Sequence, residues 1–253
     1  MSSAPDRLPL AERVLRRERV VVVVAIVVLA ALAWRWTLAG AGLSGGGMAG
    51  AMAPRLPSLL AMWWVMMVAM MLPSAAPAIL LYGRVRAGRG AAAGVGGSWL
   101  FLSGYLIAWL GVSLVATAGQ LLATRAGLID GMTMRSTSPL VGGAMLIAAG
   151  LYQLSPAKNL CLVHCRSPAS FLSRHWRPGM VGALRLGLLH GGYCIGCCWL
   201  LMALLFVGGV MDLAWIAGLA VLVATEKLVR FGPLIGRIAG AVLVVAGAAM
   251  LLG

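Results

Sequence analysis

From residue 20 onward the chain is a succession of apolar runs separated by short breaks of glycine, proline or arginine. A helix that crosses a bilayer needs about 20 mainly apolar residues, and seven runs approach that length. They lie at about 20–38, 58–82, 98–123, 138–154, 180–209, 212–229 and 232–252. The pattern predicts an all-α fold: a polytopic transmembrane helical bundle of about seven spans, forming one domain over 20–253 after a basic tail at 1–19. The first run is followed by Ala39, Gly40 and Ala41, as a cleavable signal would be, but Trp34 and Trp36 read as interfacial anchors of a retained span. In the second run Pro73 and Pro77 are expected to break the helix. The fourth is short, and Gly142, Gly143 and Gly150 favour close helix packing. No internal repeat of the inverted-transporter kind is present.

Composition agrees with the pattern. The chain has 253 residues, of which 62% are hydrophobic and 10% charged, against about 25% charged in a soluble domain. The formal charge of +14, from 20 Lys and Arg against 6 Asp and Glu, would suggest nucleic acid in a soluble protein. Here the basic residues fall in alternate breaks, which is the signature of membrane orientation, and nucleic-acid binding is disfavoured. The tail carries Arg7, Arg13, Arg16, Arg17 and Arg19. The break after the second run carries Arg84, Arg86 and Arg89, and that after the fourth Lys158, Arg166, Arg174 and Arg177. The intervening alternate breaks hold only Arg35 with Arg55, then Arg125 with Arg135, and none between the fifth and sixth runs. These counts predict a cytoplasmic N-terminus, a cytoplasmic Cys/His loop at 155–179 and a multi-pass membrane protein.

Sulfur and imidazole are unevenly spread. All five cysteines and all three histidines fall between residues 161 and 198. In HGGYCIGCCW, His190, Cys194, Cys197 and Cys198 stand at i, i+4, i+7 and i+8, so one helix presents them within about 100° of arc. Such donors bind Cu(I) or Zn(II); as simple packing residues the cysteines would leave the histidine unexplained. KNLCLVHCR places Cys161 and Cys165 four apart with His164 between them. A cytoplasmic location argues against a permanent disulfide there, and solvated cysteines without a partner are the plainer alternative.

Methionine supplies a second set of soft donors. In MWWVMMVAMM, Met62, Met66 and Met70 form one helical row, and Met67 with Met71 another. Met48 with Met52, Met132 with Met134, and Met211 are expected on the outer side. Thioethers suit Cu(I) where free thiols would oxidise, while methionine as a flexible core filler remains the plain alternative. Glu226 and Lys227 end the sixth run and are expected to snorkel to the interface. Lys158 is one of only two lysines in the chain, which suggests a specific contact.

Several of these segments together, MWWVMMVAMMLPS, Tyr152-Gln153, SPAKNLCLVHCRSP, WRPGMVGALRLGLLHGGYCIGCCWLLM and Glu226-Lys227, resemble a bacterial family of predicted metal-binding integral membrane proteins. The resemblance covers about residues 58–230. It implies a multi-span inner-membrane protein with a metal site at methionine, cysteine and histidine positions; a ligand role for His164 rests on this sequence alone.

The expected metal ligands are therefore Cys194, Cys197, Cys198, His190, Met62, Met66, Met70, Cys161, Cys165 and His164. The expected cargo is Cu(I), with Zn(II) as the alternative. The expected partners are the lipid bilayer, the metal ion and a metallochaperone or cuproprotein, while the sequence leaves oligomeric state open. Two further functions compete with metal transfer: a thiol-disulfide relay through Cys194 and Cys197, and a scaffold with a structural metal. The relay, an enzymatic role, lacks an outer cysteine, so a non-enzymatic function is expected. Counting 1.5 Å per residue from each side, the second and fifth runs reach a common depth of about 12 to 24 Å. This predicts Met66 or Met70 beside Cys194, Cys197 and Cys198.

Overall fold

The computed structural model describes residues 10–39, 56–88, 96–130 and 134–252. Met48, Met52 and Met132 lie outside the described residues, as does the tail before Leu10. The described chain is all-helical: α1 (Leu10–Leu38), α2 (Leu56–Gly88), α3 (Gly96–Arg125), α4 (Pro139–Leu154), α5 (Pro156–Arg166), α6 (Pro168–His175), α7 (Gly179–Ala203), α8 (Leu205–Gly208), α9 (Leu213–Leu228) and α10 (Gly232–Leu252). An isolated bridge between Ile129 and Ser136 braces the turn from α3 to α4.

All seven apolar runs are helical, but not all have the length of a span. Five helices are long and apolar enough to cross a membrane: Arg19–Leu38 within α1, α2, α3, Gly179–Gly208 and α10. A sixth would be α4 with α5 taken together, although the pair is bent by 63°. At 16 residues each, α4 and α9 measure about 24 Å, short of a hydrocarbon core of about 30 Å. α1 begins at Leu10, inside the segment expected to be a tail.

The break at 155–179 holds two helices, α5 and α6, so that Cys161 and Cys165 stand one turn apart on a helix. Each helix starts on a Ser-Pro pair, Ser155-Pro156 and Ser167-Pro168, as α4 starts on Ser138-Pro139. Proline keeps the preceding residue out of the helical region and itself fits the first helical position, so each pair ends one helix and begins the next. In contrast, Pro73 and Pro77 do not break α2, which runs unbroken past both. The Tyr105 hydroxyl at 3.1 Å and the Ser74 hydroxyl at 2.9 Å donate to the Met71 carbonyl just before them. Neither proline has an N–H to give to the carbonyl four residues earlier, that of Ala69 or Pro73, and packing of the buried α2 against its neighbours holds the helix through this loss.

Close helix contacts use glycine. Gly104 of α3 lies against the backbone of Leu184 and Leu188 of α7, and Gly187 of α7 against the carbonyl of Phe101. Gly143 and Gly150 of α4 meet Gly247 and Gly240 of α10 in the same way. The α3–α7 contact brings Tyr105 to Cys194, and so positions the site.

Candidate metal centre

Five helices contribute to one buried cluster. α7 supplies Cys194, Cys197 and Cys198, each about 1% exposed, α2 supplies Met71, α3 Tyr105, α9 Lys227 and α5 Cys165. The Cys198 sulfur lies 3.9 Å from the Met71 thioether. The Tyr105 hydroxyl is 3.2 Å from the Cys194 sulfur, and the Lys227 ammonium donates to that sulfur at 2.9 Å and to the Ser74 hydroxyl at 3.5 Å. The Cys165 side chain lies close enough to the Cys194 and Cys197 thiols to interact with them electrostatically. Cys161 packs against the backbone of Gly196, one residue before Cys197, and the Tyr152 hydroxyl donates to the Gly196 carbonyl.

The α7 thiols are partly engaged by the backbone. Cys197 donates to the Cys194 carbonyl at 3.1 Å and Cys198 to the same oxygen at 2.9 Å. With these sulfurs turned to their own helix, no three His, Cys, Asp or Glu side chains among the described residues form a group that could hold a metal ion. Rotation about Cα–Cβ would free both thiols at the cost of one neutral hydrogen bond each, about 1 kcal/mol.

The remaining expected ligands divide. His190 is buried one turn before Cys194, its ring 5.4 to 6.0 Å from those of Phe171, Phe101 and Tyr105, and its Nδ1 has no hydrogen-bond partner among the described residues. Met70 is buried, and the thioether seen beside a cysteine is that of the next residue, Met71. Met62 and Met66 instead line a separate cavity of about 60 Å3 with Met211 and Thr37. His164 stacks on Tyr193 at 4.1 Å.

Sequence reasoning alone does not single out Lys227, Tyr105 and Ser74 as site residues. Glu226 and Lys227 do not snorkel: they are 1% and 6% exposed. Glu226 pairs with Lys158 at 2.5 Å and accepts from Gln153 at 2.6 Å, and Gln153 also accepts from Lys158. The signal that could have found them is residue type. The chain's only two lysines are both buried, whereas exposed basic positions use arginine.

A family model described as PpoB2, copper chaperone, matches residues 60–250. The chain belongs to this family. No curated protein and no solved structure matches it. The PpoB2 match encloses Met71, Tyr105, all five cysteines and Lys227, so a copper-related role and a buried cluster of soft donors fall in the same segment. Membership in PpoB2 agrees with the sulfur chemistry, since thiolate and thioether favour Cu(I) among biological ions.

Proposed function

We propose that this protein binds Cu(I) as cargo within a bacterial inner membrane and transfers it to a carrier or cuproprotein, acting as a conduit rather than an enzyme. The observation that carries the reading is the meeting of Met71 with Cys198 at 3.9 Å inside a cluster of four thiols. Two helices far apart in sequence thus bring together the two sulfur types that Cu(I) prefers.

The chain's residues account for the charge. Each thiol that becomes a ligand releases its proton, so two thiolates and one Cu(I) carry a net charge of −1. The Lys227 ammonium beside Cys194 returns the site to neutrality, which matters where charge is costly. Passage between neighbouring soft sites keeps the ion liganded throughout. The Met62, Met66 and Met211 cavity forms a thioether station on α2, with Met66 about 7.5 Å along the helix from Met71. On the other side Cys165 and Cys161 continue the sulfur track along α5. The charge distribution of the breaks favours a cytoplasmic α5, while Met48, Met52, Met132 and Met134 would feed the thioether side.

The test uses full-length protein purified without oxygen and loaded with Cu(I). Wild type should retain copper with sulfur ligation by X-ray absorption and carry it into proteoliposomes. Replacement of Cys194, Cys197 and Cys198 by serine should abolish the uptake and the sulfur ligation at this site. Equal uptake by wild type and variant would refute the conduit.

A further inference from the structure

His164 lies in the last turn of α5 and His175 ends α6, and the hairpin at Ser167 brings their rings to a centroid separation of 6.3 Å at 59°. Each ring makes the same local bond. His164 Nδ1 is 2.8 Å from the Leu160 carbonyl and His175 Nδ1 is 3.0 Å from the Phe171 carbonyl, each four residues earlier. A carbonyl oxygen only accepts, so Nδ1 carries the proton in both rings. The lone pair of each imidazole is therefore on Nε2. An Nδ1–H held by a carbonyl is also the arrangement that fixes the tautomer and orientation of metal-binding histidines.

The rings are held by packing as well. His164 lies parallel to Tyr193 at 4.1 Å and 2°, and His175 packs on Phe171 at 5.1 Å and on Tyr193 at 6.2 Å. Both histidines are half-buried, so their edges remain reachable. Metal–nitrogen bonds of about 2 Å each place two Nε2 atoms about 4 Å apart across one ion, a span that rings at this separation can meet. Two neutral imidazoles satisfy linear two-coordinate Cu(I). Zn(II) would require further ligands, and no third His, Cys, Asp or Glu among the described residues joins the pair to hold an ion.

The position gives the pair a direction. Tyr193, which carries the His164 ring, directly precedes Cys194, and His164 directly precedes Cys165, whose side chain neighbours those of Cys194 and Cys197. We propose that His164 and His175 form a two-nitrogen Cu(I) port at the mouth of the thiol track, from which the ion passes to Cys165 or arrives from it. The proposal takes the identity of the ion from the reading above, but its ligands are separate from the α7 thiols.

Anaerobic Cu(I) titration of the full-length protein against a chromophoric Cu(I) chelator, with X-ray absorption, tests the port. His164→Phe with His175→Phe keeps the stacking and removes the nitrogens. This variant should bind one Cu(I) fewer than wild type, lose nitrogen scattering near about 2 Å and keep sulfur ligation. A variant with serine at Cys165, Cys194, Cys197 and Cys198 should still bind one nitrogen-ligated Cu(I). Unchanged stoichiometry in the double phenylalanine variant, or nitrogen scattering that disappears only when His190 is replaced, would overturn the port. Full copper binding by the serine variant would instead overturn the thiol site. Should the double variant not fold, diethyl pyrocarbonate labelling of wild type decides: Cu(I) should protect His164 and His175 together, and labelling unaffected by Cu(I) would count against the port.

Discussion

The Lys227 ammonium has the Cys194 sulfur, 2.9 Å away, as its near partner, with the Ser74 hydroxyl at 3.5 Å as a second and weaker one. A buried cation held mainly by one sulfur makes the two residues interdependent. Removing the acceptor of a buried ammonium leaves a charged donor short of its partner, at about 1–3 kcal/mol, whereas removing donor and acceptor together is far less damaging. Cys194→Ala is therefore expected to lower the unfolding free energy of the metal-free protein by about that amount, and Lys227→Met by less. The double variant should recover most of the loss. Unfolding of the four proteins in detergent checks this, and simple additivity of the two single effects would contradict the pairing.

The choice of methionine on α2 gives a sharper test. The Met71 thioether lies 3.9 Å from the Cys198 sulfur, while its neighbour Met70 is buried elsewhere on the turn. Met71→Leu conserves volume and removes the thioether, so it should weaken Cu(I) binding about tenfold, or about 1.4 kcal/mol, with little effect on folding. Met70→Leu should leave affinity near that of wild type. Competition with a Cu(I) chelator measures both, and the reverse ranking would move the contact back to the position expected from the sequence.

The helices and the sulfur row on α7 are legible in the sequence because both depend on local periodicity. The choice between Met70 and Met71 is not local: adjacent positions on a helix differ by about 100°, and the winning face depends on how α2 meets α7 across α3 and α9. The two prolines mislead for a similar reason. Their disruptive effect is intrinsic, but the packing that holds α2 through them comes from other helices. Glu226 and Lys227 mislead because their place near a helix end allows snorkelling. Their burial follows from partners that arrive from α4, α5 and α7. The histidine port is half visible: His164 stands out between two cysteines, but joining it to His175 needs the hairpin at Ser167.

The buried Lys158–Glu226 ion pair should behave as a brace for the bend between α4 and α5. Glu226 holds Lys158 and Gln153, and its own carbonyl, with that of Val229, accepts from Arg166 of α5. Glu226→Ala strands the Lys158 ammonium with Gln153 as its remaining partner and is expected to cost about 3–5 kcal/mol. Glu226→Gln removes the charge but keeps the hydrogen-bonding shape, so it should cost less. Protease sensitivity around residues 155–179 should rise in the alanine variant before global unfolding, since α5 is tied to α9 through this group. Unaltered cleavage there would show that the bend is held by other contacts.

The glycines of α3 and α7 allow a test of how the site is positioned. A Cβ on Gly104 would run into the backbone of Leu184 and Leu188, and backbone cannot rotate away as a side chain can. Gly104→Ala must therefore separate the two helices or distort one, at about 1–3 kcal/mol. The displacement would also move Tyr105, the next residue, away from Cys194. On α7 itself a Cβ on Gly192 would meet nothing within 4 Å, so Gly192→Ala should be neutral or gain up to about 1 kcal/mol from helix propensity. The two substitutions separate packing from propensity within one pair of helices. Stability in detergent and Cu(I) affinity should both fall for Gly104→Ala and hold for Gly192→Ala. If the two variants are alike in affinity, the close α3–α7 contact does not set the metal centre.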